Sequence, residues 1–476
     1  MSVTSIDSVS AEGQVSIAGR IVRARESQNL CVYTLMDDSG LIDVASYASF
    51  PVGDVVKVSG SAKQHGQRFE IYAEEMDRLL EPSRELVEKA IDRMIEQESA
   101  PLRCKPLIND EIMRALAKPF DDCARRIRRA IFSVRPILIR YNGDADGICA
   151  GLCLRRAIEQ LMGGEAKRRL FFAQNNPAVY APGDALRDVS LVRMLPEQME
   201  RPLFLLVDFA ANSESLEALE LLNGAAVEVA IIDHHPFDPK ALLAIESFVS
   251  PQTCNGSSSY CAGLLAGEVA KRVAEVEVEE LQRIAMAGDR SGLLPPTPEQ
   301  EHFAMAVDFL ANYQKETSTL DFFDKTVSDR KFMVSVYEQA EARMKQSLET
   351  ARGFSKVTEL ANGFVLCKIK LDSAAKKGEF PAKGRLTGAV HDELAAAKSG
   401  ASLVTLGYGE RMISIRANAK ARERGFNASI MIEKLKEEMK NSIESGGGHD
   451  VAASIKVNKG FGKIVLNWVV SWIDRL

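Results

Sequence analysis

The chain has 476 residues, of which 46% are hydrophobic and 26% charged, with a formal net charge of −6 at pH 7. That length exceeds one ordinary core and points to about two to four domains of a soluble globular protein. The acidic balance excludes a globally basic nucleic-acid coat, so any phosphate contact has to come from local patches or from bound metal.

No apolar run approaches the length a bilayer needs, and "MSVTSIDSVSAEGQ" lacks a basic region followed by an apolar block. An intracellular, cytoplasmic protein with no membrane partner is expected. The eight cysteines are scattered without a CxxC pair, which reads as buried thiols rather than disulfides or a zinc site.

Residues 14–80 alternate in the manner of strands, as in "QVSIAGRIVRARE", "LCVYTLMDDSG" and "LIDVASYA", with Gly and Asp at the turns. Short alternating strands in so small a span predict a closed barrel of the OB type over residues 1–80. A charged helical connector is expected over 81–132. Its "RRIRR" at Arg125–Arg129 is a candidate phosphate contact, although a solvated face with Ile127 turned inward explains it as well.

From Pro136 the texture changes to apolar strands alternating with helical patterns: "PILIRY", "LFLLVDF" and "AVEVAIIDHH". That alternation predicts a parallel sheet covered by helices, here over 133–346, with a mostly helical stretch from Ser259 to Gln346. A smaller C-terminal α/β domain is expected over 347–476, from the strands "FVLCKIKL", "ASLVTLGYG" and "RMISIRANA" and the helix "ASIMIEKLKEEMKNSI". The fold class is α/β throughout, with the barrel in front.

Three strands of the central sheet end in acids: Asp144 with Asp146, then Asp208, then Asp233 followed by His234 and His235. In an open parallel sheet such ends converge on one edge. Singly, each acid has an ordinary reading as a helix cap or an Asx turn. Together they form a repulsive cluster that divalent cations would stabilise, and oxygen ligands with one or two imidazoles suit Mn²⁺ or Mg²⁺ better than zinc. Asp289, at the break "AMAGDRSG", is a fifth carboxylate. Two metals about 3.5–4 Å apart can activate a water and clamp both oxygens of a phosphoester. Gly147 would let the backbone approach a phosphate at the start of the following helix. The remaining histidines, His65, His302 and His391, read as turn, solvated or structural residues.

The ordered segments "GDADG" (Gly143–Gly147), "VDFAANS" (Val207–Ser213), "IIDHH" (Ile231–His235), "AGDR" (Ala287–Arg290) and "GGGHDVAAS" (Gly446–Ser454) resemble the motifs of DHH phosphoesterases with a DHHA1 domain. The likeness is greatest to the archaeal RecJ-like branch, which includes the GINS-associated nuclease, and "NNPAVYAPGDALRD" fits that branch too. The resemblance implies that Asp144, Asp146, Asp208, His234 and Asp289 are metal ligands, with Asp208 bridging two ions and His235 beside the scissile phosphate. Asp233 would fix an imidazole tautomer. Gly446, Gly447, Gly448 and His449 would meet a phosphate through a glycine nest, and Arg416, with Arg411 or Lys420 nearby, would form a basic substrate contact.

In one place the chain departs from the family. Related sequences carry two histidines before the DxD, where this chain has Tyr141 and Asn142; Asn142 stands where the family supplies a ligand to the first ion. Ser454 replaces a final glycine in the last motif. The implied activity is a Mn²⁺- or Mg²⁺-dependent exonuclease on single-stranded DNA or RNA, in replication or repair. Two alternatives are a helicase-associated subunit that binds GINS without cutting, and a phosphodiesterase of short oligonucleotides or cyclic dinucleotides.

Overall fold

The structure is a computed structural model that describes residues 3–27, 30–66, 68–175, 179–195, 197–198, 200–313, 320–375 and 378–476. Part of the "NNPAVY" segment, residues 176–178, lies outside the described residues.

The N-terminal strands are β1 (Gly13–Ser27), β2 (Leu30–Met36), β3 (Leu41–Ser46), β4 (Val55–His65) and β5 (Arg68–Arg78). They form the expected barrel. β1 is long enough to pair with β4 through its first half and with β2 through its second, the register shifting between Ile21 and Arg23, and this double pairing closes the sheet. Inward positions Ile17, Ile21, Val44, Val56, Val58 and Ile71 are buried, so the alternation seen in sequence is the barrel's interior and exterior.

The helices Ser83–Glu98 and Ala117–Phe132 follow. Phe120, Cys123, Ala124 and Ile127 of the second pack into the same core as the central sheet. The arginine run is tied inward: Arg128 is buried and donates to Glu98 O at 2.7 Å, and Arg126 pairs with Glu228 at 2.6 Å. The solvated-face reading therefore holds only for its remainder.

The central sheet comprises β6 (Ile137–Asn142), β7 (Leu170–Asn175), β9 (Leu203–Val207), β10 (Glu228–Ile232) and β11 (Ser247–Val249), all parallel, in the order β11-β10-β9-β6-β7; the two-residue β8 (Glu197–Gln198) pairs instead with β1. β9 and β10 are buried along their whole length, as strands covered on both faces must be. β6 leads to β7 on one side and has β9 on the other, so the strand order reverses at β6 and opens a crevice there.

The helix Arg330–Gly353 leads to a third, mixed sheet of β12 (Ser355–Glu359), β13 (Phe364–Lys370), β14 (Ser402–Tyr408), β15 (Met412–Ala417), β16 (Ile443–Gly448) and β17 (Ala452–Val457). Its order is β12-β13-β14-β15-β17-β16, with β13–β14 the parallel pair. The helices Ala428–Glu438 and Gly462–Asp474 cover it.

Candidate metal centre at the sheet edge

The crevice beside β6 collects the acids. Asp144 caps the helix Ala145–Met162, accepting from Gly147 N at 3.0 Å. Gly147 has to be glycine: a Cβ there would sit 2.5 Å from Asn142 O. Asp208 follows β9 in a left-handed conformation, φ +69°, with Ala210 two residues on at φ +88°. Such backbone costs about 1–3 kcal/mol per residue and persists only where its surroundings enforce it. Here Asp208 N donates to Ile232 O at 2.8 Å, pinning the end of β9 to β10.

The six predicted acids and histidines meet in one place. His234 Nε2 lies 3.2 Å from Asp208 Oδ1 and 3.8 Å from Asp146 Oδ2, and its Nδ1 lies 3.7 Å from Asp289 Oδ2. His235 Nδ1 lies 3.7 Å from Asp208 Oδ1. Asp208, His234 and His235 each offer a ligand atom, all within 4.8 Å of one another. Asp144 joins through Asn142, whose Nδ2 donates to Asp144 Oδ2 at 2.8 Å and to Asp208 Oδ2 at 3.1 Å.

Each imidazole is held by a neighbour. His234 Nδ1 donates to Ser258 O at 2.7 Å, which turns Nε2 toward the carboxylates. Asp233 Oδ1 accepts from both His235 Nδ1, at 2.8 Å, and His235 N, at 3.1 Å. From the C-terminal domain, His449 stacks on His235 with ring centroids 5.5 Å apart and planes 6° from parallel.

Burial pushes the Asp208 carboxyl well above its usual range, and Asp144 and Asp146 push it further. Burial raises Asp146 too, and lifts Asp289 to about 7. Burial opposes charge on His234, but Asp208, Asp289 and Asp146 outweigh it and hold that imidazole well above its ordinary value. Asp208 Oδ1, fully enclosed, has no well-aligned hydrogen-bond partner among the described residues. A buried oxygen without a well-aligned donor, 3.2 Å from an imidazole nitrogen that can exchange its proton for a metal, fits a divalent cation at this edge. The donor set therefore suits the metal the sequence implies.

Several predicted residues stand differently from expectation. Both oxygens of Asp146 accept backbone N–H groups, from Ala262 at 2.8 Å and Gly263 at 2.7 Å, so Asp146 anchors the helix Ala262–Val273 as well as facing His234. Asn142 turns its NH₂ toward the carboxylates, and an amide nitrogen has no lone pair for a cation. Gly446, Gly447 and Gly448 are the strand β16, paired with Ile455, Ser454 and Ala453, rather than a turn nest. Arg416 lies on β15 with its guanidinium donating to Ile415 O at 2.8 Å. Arg411, at the other end of that strand, pairs with Glu444 at 3.1 Å, and Lys420 is exposed in the following helix.

Sequence reasoning missed Asp308. It accepts from Ala145 N at 2.8 Å, inside the first acidic motif, and pairs with Arg385 of the C-terminal domain. A lone acid within the apolar helix sequence "FAMAVDFLANY" was the available signal.

Residues 136–288 match the model of the DHH family, N-terminal domain, and residues 15–79 match that of the OB-fold nucleic acid binding domain. An uncharacterized protein of Methanocaldococcus jannaschii is 26% identical, with 97% of this chain aligned to 69% of that one. Among solved structures, the DHH domain of a protein described as a member of a ribosomal-protein family has a TM-score of 0.75 at 26% identity, covering 82% of this chain and 98% of that chain. RecJ of Thermus thermophilus in complex with Mn²⁺ has a TM-score of 0.53 at 14% identity, covering 75% and 55%. That likeness is one of fold.

Proposed function

We propose that this protein is a metal-dependent phosphodiesterase that trims single-stranded DNA or RNA from an end, acting in the cytoplasm in replication or repair. The observation that carries the reading is the meeting of Asp208, His234 and His235 within 4.8 Å at the β6–β9 crevice, with Asp208 Oδ1 lacking a well-aligned donor. Asp208 and His234 would hold a Mn²⁺ or Mg²⁺ ion, with Asp144 and Asp289 beside them and Asp146 in reach of the same imidazole. Such an ion, when bound, supplies Lewis acidity to a phosphoester and activates the attacking water. RecJ, solved with Mn²⁺, supports that choice of metal.

The chain's own groups do the positioning. Ser258 fixes the tautomer of His234, and Asp233 that of His235. His235 would then face the scissile phosphate, with His449 stacked behind it. Burial, and then the two neighbouring imidazoles, lower the pKa of His449 to about 4, so it meets the substrate neutral. The edge strand β16, with its glycine run, and Arg416 would contact the phosphate backbone further along. The OB barrel supports a single-strand path rather than a small-substrate pocket.

A second reading is a non-cutting, helicase-associated subunit that binds GINS. One observation favours it: the Asn142 amide nitrogen lies between Asp144 and Asp208, where the family implies a ligand to the first ion.

The deciding experiment incubates end-labelled single strands and duplexes with the full chain and Mn²⁺, beside Asp208→Ala. Shortening of single strands alone, lost in the variant, is the expected result. Labelled strands left intact by both proteins across metals would overturn the enzyme reading and leave the subunit reading standing.

A further inference from the structure

A second feature lies away from the acidic edge. Between the barrel and the central domain is a cavity of about 240 Å³, walled by Arg23, Arg25, Arg168, Arg169, Val32 and Leu195, with Asp43 the one lining carboxylate among the described residues. Pro136 also lines it. Pro136 precedes β6 and Asn142 ends it, so at about 3.3 Å per residue the cavity is roughly 20 Å from the acidic cluster. It is not part of that cluster.

The charge in this cavity is opposite in sign to the chain's net −6. Arg23 is 7% exposed and Arg169 3% exposed, so two guanidinium groups stand largely out of water. The nearest carboxylate behind them, Glu165, is divided among Arg23 at 3.5 Å, Arg168 at 3.5 Å, Arg169 at 3.8 Å and Arg68, which contacts it most closely. Asp43 is likewise shared between Arg168 at 3.1 Å and Arg23 at 3.9 Å. Arg169 Nε has no hydrogen-bond partner among the described residues. Burial, with Arg23 adding to it, brings Arg169 down to about 10 against the opposing pull of Glu165. It stays protonated at neutral pH. Thr34, which accepts from Arg23 at 3.0 Å and donates to Asp43 at 2.6 Å, fixes the wall before any ligand arrives.

Crowded, partly desolvated arginines that outnumber the carboxylates lining the cavity call for an anion, and planar guanidinium forks match phosphate oxygens. The volume is several times the roughly 30 Å³ that a water takes in the liquid. The apolar walls at Val32, Pro136 and Leu195 suit the body of a ligand whose charged end faces the arginines. We propose that this cavity at the barrel–domain seam binds the phosphate of a nucleotide, as a second site separate from the acidic edge.

The test uses the full chain in EDTA, so that no divalent ion can recruit phosphate to the acidic cluster, and titrates inorganic phosphate, AMP and adenosine by calorimetry. AMP binds and adenosine does not. Arg25→Glu, at an exposed position, weakens AMP by roughly tenfold or more while melting at the wild-type temperature without ligand. AMP tighter than inorganic phosphate assigns the phosphate to a nucleotide; equal affinities assign it to the free anion, with the site itself upheld. AMP binding that survives charge reversal in a folded Arg25→Glu protein overturns the proposal, as does adenosine binding as tightly as AMP.

Discussion

At the residue scale, Asn142 decides how the acidic edge is neutralised. Its two N–H groups reach Asp144 and Asp208 and satisfy one oxygen of each, a task a cation would otherwise share. An imidazole at that place would offer a lone pair to a cation and could not neutralise both acids with a neutral donor pair. Asn142→His is therefore expected to tighten Mn²⁺ by about tenfold or more, roughly 1.4 kcal/mol, in a calorimetric titration. Unchanged or weaker Mn²⁺ binding would show that the amide does not stand in a cation's place. Asp208 Oδ1 is the complementary case, a buried oxygen with imidazole nitrogens near it but no well-aligned donor among the described residues.

At the element scale, the site depends on how the C-terminal domain is held. Arg385, from the helix Lys383–Ala397, reaches Asp308, which holds Ala145 N at the start of the motif helix. Burial raises Asp308 to about 6 even with Arg385 opposing. Arg385→Ala leaves that carboxylate without its counter-charge and should cost about 2 kcal/mol in urea unfolding, less than a fully buried pair because Arg385 is partly exposed. Adding Asp308→Asn should restore part of the loss; additive losses would contradict the pairing.

The same helix carries His391, buried and 2.9 Å from Thr405 Oγ1. Burial lowers its pKa to about 4, with Arg416 and Arg290 adding and Asp392 opposing. A folded-state value below the unfolded one of about 6.5 means that the unfolded chain binds the proton more readily. His391 therefore stabilises fully above about pH 6.5, and that contribution, about 3 kcal/mol at most, is lost as pH falls toward 4. His391→Gln should flatten stability against pH over that window in parallel urea titrations; an unchanged slope would refute the assignment.

What the sequence made legible follows from these elements. β6, β9 and β10 are largely apolar runs followed within two residues by acids, the pattern expected of a doubly covered parallel sheet, so both the strands and the convergence could be read. β7 and β11 were missed, the first because Gln174 and Asn175 interrupt its apolar character and the second because it has three residues. The glycine run read as a turn because glycine carries no strand preference; its pairing with β17 makes it a strand, and a Cβ at Gly448 would sit 2.4 Å from Ala452 O. The anchoring of the helix Ala262–Val273 by Asp146 was invisible because the partners lie more than a hundred residues apart.

At the scale of the whole molecule, three sheets divide the work. The barrel and the third sheet flank the central one, and the third sheet brings His449 over His235. Arg290 beside Asp289 pairs with Asp392 at 2.6 Å, and Lys436 with Glu214 at 3.1 Å, so the C-terminal domain is tied to the rim of the acidic edge at more than one point. Among the described residues no helix is long and apolar enough to cross a membrane.

The central claim is that distant side chains gather at one sheet edge to hold a divalent cation. Anomalous scattering from a Mn²⁺-soaked crystal of the full chain tests it most directly. A peak within coordination distance of Asp208 and His234 Nε2, absent from Asp208→Ala crystals soaked in the same way, is the predicted result. A well-ordered crystal with no anomalous peak at that edge, or with Mn²⁺ bound elsewhere only, would contradict it.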